Sequence, residues 1–125
     1  MDPSDRDIAA LQGIWEQVGL EADGVVDPPD PHSGPGVLCT FAGREFSVRA
    51  PDGTLVLAGS FELEAADHSI TWIDSMGDDE GKRLPASYRL EADRFVFIAG
   101  NEGDARPSSF TTVVGQTMRT FVRHT

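Results

Sequence analysis

The side chains that carry reactive or coordinating atoms are scattered along this chain. His32, His68 and His124 lie far apart, and no His-x-His or His-x-x-x-His pair offers two ligands on one element. A transition-metal site is therefore not expected. Asp74, Asp78, Asp79 and Glu80 form an acidic segment of the kind that attracts a hard cation. It lacks the twelve-residue calcium-loop pattern, so a solvated charged turn is the expectation. Cys39 is the single cysteine, which excludes an intramolecular disulfide and a multi-cysteine zinc site. Val37 and Phe41 share its alternating face and no cation adjoins it. A small core hydrophobe is expected there rather than a thiolate nucleophile. The chain has no Gly-x-Ser-x-Gly elbow and no phosphate-binding glycine loop. No catalytic residue, metal or cofactor is assigned. Trp72 and Tyr88 are more informative, because each brings a polar atom that needs a partner when its ring is buried.

The elements that position these residues read mostly as strands. Residues 4–11 form one helical turn or two, with Ser4 as cap, Asp7 three positions on as a capping-box partner, and Ile8 and Leu11 on one face. Strands are expected over 14–22, 37–41, 45–49, 54–63, 69–74, 84–90, 94–98, 109–114 and 116–123. Between them stand the turn signals Asp23-Gly24, Ala42-Gly43, Pro51-Asp52-Gly53 and Ala92-Asp93. Residues 27–36 carry four prolines and His32 and should be a loop. Gly59 falls on an apolar face and suggests a bend or bulge. With no crossover helix, the sheet should be mainly antiparallel, in a sandwich or a barrel.

The 125 residues fit one domain over 1–125, and the formal charge of −11 bears on partners. Counterion release on nucleic acid needs clustered Lys and Arg, so nucleic acid is not expected. Anionic membrane surfaces are disfavoured for the same reason. No window approaches 18 apolar residues, and no basic flank followed by an apolar run opens the chain. The cytoplasm is the expected compartment.

One cluster of motifs resembles a known group. Leu11-Gln12-Gly13-Ile14-Trp15 places a Gly-x-Trp at the start of the first strand, just after a helical turn. It is followed in order by Asp23-Gly24, Gly59-Ser60-Phe61, Gly81-Lys82, Tyr88-Arg89-Leu90 and Arg106-Pro107. This order resembles the calycins, and specifically small bacterial lipocalin-like domains of planctomycete-type proteins of unknown function. The chain departs from that pattern at Ala92-Asp93, at Ile70-Thr71 and in the proline-rich stretch. The resemblance implies an all-β fold, a single antiparallel lipocalin-like barrel of about eight or nine strands with a short N-terminal helical turn. It implies barrel closure by Gly13 and Trp15, with a cation from the last strand, Arg119 or Arg123, stacked on the indole. It also implies that the 27–36 loop folds across the open end as a lid.

Alternation places Phe46, Val48, Leu55, Leu57, Phe61, Ile70, Trp72, Tyr88, Leu90, Phe95 and Phe97 inside. These residues either fill the barrel or line a pocket for one small ligand. The candidate ligand contacts are Phe46, Leu57, Phe61, Trp72, Tyr88 and Phe97. The leading expectation is a small-molecule binding protein for a mostly apolar, neutral or cationic ligand. A cofactor-free isomerase or cyclase is the alternative, with Tyr88 and Arg49 or Arg89 as polarising groups. A third reading is an interaction or inhibitor module with a filled barrel. Val56, Ile73, Val96, Ile98 and Phe121 are expected on the outer face, as an apolar stripe suited to a homodimer.

Overall fold

The computed structural model describes residues 2–28 and 36–124. The helix α1 spans Pro3–Leu11. Its cap is Asp2, whose carboxylate accepts from the Ser4 backbone N–H at 2.8 Å. The expected Ser4–Asp7 capping box does not form, because proline at the first helical position starts the helix one residue earlier. Ser4 Oγ instead accepts from Ala65 N at 2.9 Å, and Asp7 accepts from the Tyr88 hydroxyl. Both contacts tie α1 to the sheet, which a helix this short requires.

Nine strands follow: β1 Gly13–Ala22, β2 Val25–Val26, β3 Leu38–Ala42, β4 Glu45–Arg49, β5 Leu55–Glu64, β6 Ser69–Asp74, β7 Arg83–Glu91, β8 Arg94–Ala99 and β9 Thr117–Arg123. They run antiparallel in the order β2-β1-β3-β4-β5-β6-β7-β8-β9, and β1 pairs again with β9. Eight strands thus close into a barrel, and β2 is a short addition to the far end of β1. One edge of β1 bonds β9 from Trp15 to Ala22, while the other bonds β3 over Gly13 to Glu16 and β2 at Glu21 and Ala22. A register shift between Gln17 and Gly19 interrupts the β1–β9 ladder.

One end of the barrel is plugged. Trp15 is fully buried there and donates its indole N–H to Leu11 O at 2.8 Å. Arg123 lies over the indole at 4.2 Å. Its guanidinium also donates to Ala10 O and Gln12 O, the carbonyls that the end of α1 leaves open. The stacked cation is therefore Arg123, and Arg119, two pleats away on the same strand face, points into the barrel. Gly13 has φ +109°, which lets the chain turn from helix into strand.

Several expectations change in detail. Residues 109–114 form no strand. They are held as loop by Glu21, whose carboxylate accepts from both the N–H and the hydroxyl of Thr112. The ninth strand is β2 instead. Gly59 sits in a regular ladder, and the slip lies one turn earlier, where Val48 pairs Leu57 but Arg49 pairs Leu55. That slip leaves Leu55 exposed rather than inside. What Gly59 permits is close approach: a Cβ there would stand 2.2 Å from Ile73 O and 2.9 Å from the Phe46 ring. Phe121 is buried inside, stacked on Phe95 and Phe97 at 6.0 Å, because its register partner is Phe95. Ile73, Val96 and Ile98 stand outside the core cluster, on the expected outer face, but Ile98 is buried and the other two are half-buried, so no fully exposed stripe forms there. The loop after β8 lies along this wall, where Arg89 stacks on Phe110 at 4.2 Å and Ser87 donates to Pro107 O. Arg106 of the same loop donates to Ile70 O and Ala86 O of the β6–β7 pair. The proposed lid falls largely on residues 29–35, and His32 with it, outside the described residues.

Candidate functional site

The barrel core divides into two levels. Toward α1, Leu11, Trp15, Phe61, Ile70, Tyr88 and Phe95 pack into a solid floor, each at most 1% exposed. Toward the other end the side chains separate and leave a cavity of about 330 Å³. The volume is at the lower end of ordinary ligand pockets, which run roughly 300–1,000 Å³.

Four of the six expected ligand contacts line this space: Phe46, Leu57, Trp72 and Phe97. The Trp72 ring contacts two of them, Phe46 at 5.1 Å and Phe97 at 4.9 Å. Phe61 lies one step deeper, against the Trp72 and Phe41 rings, as part of the floor. Tyr88 is not at the cavity. Its place on β7 is near the plugged end, where its hydroxyl donates to Asp7, and burial plus that carboxylate push its pKa up. Val56, expected outside, lines the cavity next to the slip in the β4–β5 ladder.

The polar lining consists of residues outside the expected contact set. Gln17, Asp74, Asp79, Asn101 and Arg119 all face the cavity. Alternation could have found three of them. Gln17 follows Trp15 by two, Asp74 follows Trp72 by two, and Arg119 precedes Phe121 by two. The expectation for Arg119 was instead the stacking position on Trp15, which Arg123 occupies.

Their chemistry is uneven. Gln17 is 2% exposed; its Oε1 accepts from Arg119 at 3.2 Å, while its Nε2 has no hydrogen-bond partner. Trp72 is 6% exposed, and its indole N–H also has none. A buried donor without an acceptor costs about 1–3 kcal/mol, and native structures contain few. Both residues line one cavity, although the two nitrogens themselves are covered. Gln17 is on β1, and Trp72 is on β6, which the strand order places on the opposite side of the barrel.

Asp74 is 7% exposed. Burial first, and Asp79 second, push its pKa up to about 6. Cys39 lines the same space. Burial pushes its thiol up to about 12, with Arg119 opposing weakly, so it is a packing group here. No cluster of three or more His, Cys, Asp or Glu side chains arranged to hold a metal occurs among the described residues. No helix among them is long and apolar enough to cross a membrane.

No family model matches the chain, and no curated protein matches it in sequence. Among solved structures the fold is similar to a DUF4847 family protein from Bacteroides vulgatus ATCC 8482. The TM-score is 0.51 over 91% of this chain and 94% of that one, with 12% sequence identity. That likeness is one of fold. It supports the closed barrel, while the calycin and planctomycete-type affinity drawn from Gly13-x-Trp15 has no matching family model behind it.

Proposed function

We propose that the protein binds a small molecule in the barrel cavity. The observation that carries this reading is a 330 Å³ space inside the barrel, lined by Phe46, Leu57, Trp72 and Phe97 and by the polar residues Gln17, Asp74 and Arg119. A fold that only packed its core would fill this volume with side chains. The rest of the lining is mostly aromatic and aliphatic, the usual composition of a site for one organic ligand. A filled interaction module fits such a lining poorly. The test is native mass spectrometry of the protein purified from its own host, beside a Leu57→Phe variant that narrows the cavity. A discrete adduct on the wild type that falls with the variant supports the reading. Absence of any adduct, together with no thermal shift across a library of ring-sized compounds, overturns it.

Asp74 favours a second reading, a cofactor-free proton transfer on the bound molecule. A carboxyl with a pKa near 6 inside a cavity is poised to exchange a proton near neutral pH. This assigns the acid–base role to Asp74, in place of Tyr88, Arg49 or Arg89. Deuterium incorporation from heavy water into a bound cyclic ketone, lost in Asp74→Asn, is the supporting result. Unchanged incorporation in the variant removes the reading.

A further inference from the structure

Among the described residues, Asp74 is the one buried carboxylate, and it lines the cavity at 7% exposed. No hydrogen bond or ion pair holds its side chain among those residues. The Gln17 and Trp72 nitrogens are unpaired and sealed by protein atoms, whereas the Asp74 oxygens are unpaired and not sealed. An occupant of the cavity can therefore touch them. The register explains why no side chain pairs with Asp74. Its partner on β5 is Gly59, which presents none, and the Phe46 ring takes the space there, 2.9 Å from where a Cβ would stand. On the other side the β6–β7 ladder ends at Ile73 and Arg83, one residue short of Asp74.

Nearby charges do not answer this carboxylate. Asp79 has the same sign, and it holds Lys82 at 3.4 Å. Arg119 donates to Gln17 on β9's other neighbour, β1, and β7 and β8 stand between β9 and β6. A buried charge is normally paired, because its desolvation is otherwise uncompensated. Burial first, and Asp79 second, push the pKa of Asp74 up to about 6, so it is ionised at pH 7.5 despite that cost. A cation bearing N–H donors supplies what is missing, through charge-assisted hydrogen bonds. The Trp72 ring, two residues earlier on the same face, and the Phe46 ring, across Gly59, offer aromatic surface that a cation also favours. The formal charge of −11 draws a cation in and opposes an anion. Leu57 and Phe97 complete an apolar wall for the rest of the molecule.

We propose that the cavity takes a small organic cation, a protonated amine or amidine on an apolar ring, with the Asp74 carboxylate as its counter-ion and Asp79 as a second charge nearby. This rests on the cavity-binding reading above and specifies the ligand class of that same site. It makes Asp74 a binding group, the alternative to the proton transfer considered there. A neutral molecule of equal shape would leave the carboxylate buried and unpaired, and that difference sets the specificity.

The experiment uses one ring and three charges: 2-aminoindane, 2-indanol and indane-2-carboxylate. Affinities are measured by calorimetry on the full chain at about pH 7.5, where the amine is protonated and Asp74 ionised. The expected result is that 2-aminoindane binds about tenfold or more tightly than 2-indanol. In Asp74→Asn that preference falls to about twofold or less while 2-indanol binds as before. Asp79→Asn lowers amine affinity by a smaller factor. Glu45→Gln, which removes an equal charge from an exposed position on β4, leaves the preference in place. Leu57→Phe, which narrows the cavity, weakens the amine and the alcohol together. Equal affinity for amine and alcohol, or tighter binding of the carboxylate, overturns the proposal and leaves the cavity reading standing. So does a preference for the amine that survives Asp74→Asn, or that falls as far in Glu45→Gln, since bulk charge would then be its source. Binding of the probes that Leu57→Phe does not weaken, or no binding by any of the three at millimolar concentration, overturns the proposal and the cavity reading for ring-sized ligands together.

Discussion

Asp74→Asn should make the unliganded protein more stable at neutral pH and leave it unchanged in acid. Asp74 is almost fully buried, and Asp79 adds a like charge beside it. Its pKa therefore rises from 3.8 to about 6 on folding. Below the unfolded value, both states hold the proton and the carboxyl carries no ionisation penalty. As pH rises toward the folded value, the unfolded chain has lost its proton while the folded one keeps it, and stability falls. Above the folded value the whole penalty is present. A shift of about two units is worth roughly 3 kcal/mol, and water entering through the cavity mouth lowers this to roughly 1–3 kcal/mol. Asparagine has the same shape and no charge to desolvate. Urea denaturation followed by tryptophan fluorescence, from pH 4 to pH 8, measures the difference. The variant should gain about 1–3 kcal/mol at pH 8, with the gain shrinking to within about 0.5 kcal/mol at pH 4. A difference constant with pH, or a wild type more stable at pH 8, would refute burial as the cause of the shift. A carboxylate kept in the cavity at such a cost is what a functional site, rather than a packing site, displays.

Three further substitutions test the division between floor and cavity. Tyr88→Phe removes the hydroxyl that binds Asp7 and should cost about 1–2 kcal/mol in chemical denaturation, with no change in ligand affinity, since Tyr88 lies outside the cavity. Arg123→Met deletes the cation over Trp15 and the donors to Ala10 O and Gln12 O. It should cost about 1–3 kcal/mol and raise amide exchange in α1 before the strands open. Gly59→Ala forces a methyl within 2.2 Å of Ile73 O and against the Phe46 ring, so it should destabilise by about 1–3 kcal/mol and change the cavity. A methyl there that leaves both the melting curve and probe binding untouched would contradict the observed approach of β5 to β6.

Much of the barrel is legible in the chain because a strand's pleat writes its burial at every second residue. Phe46, Leu57, Phe61, Ile70, Trp72, Phe95 and Phe97 are placed inside by that rule and are found there. Turn signals such as Asp23-Gly24 mark ends reliably, since both residues take positive φ. The rule fails where a ladder slips. At Val48–Leu57 the register shift puts Leu55 outside and Val56 at the cavity. It also fails where composition misleads, as at residues 109–114, where Glu21 holds Thr112, Phe110 lies under Arg89, and Val113 and Val114 are exposed.

By itself, then, the sequence determined an antiparallel sheet, an acidic exterior and an aromatic interior, because local periodicity and turn chemistry are properties of neighbouring residues. The tertiary structure alone decided which part of that interior is floor and which is cavity. It set Arg123 on Trp15 and turned Arg119 inward, and it moved Tyr88 to the plugged end. It also left Gln17 and Trp72 without acceptors while Asp74 became a weak acid. These outcomes depend on how far strands distant in sequence are staggered around the barrel, and stagger is a property of closure that no single segment contains.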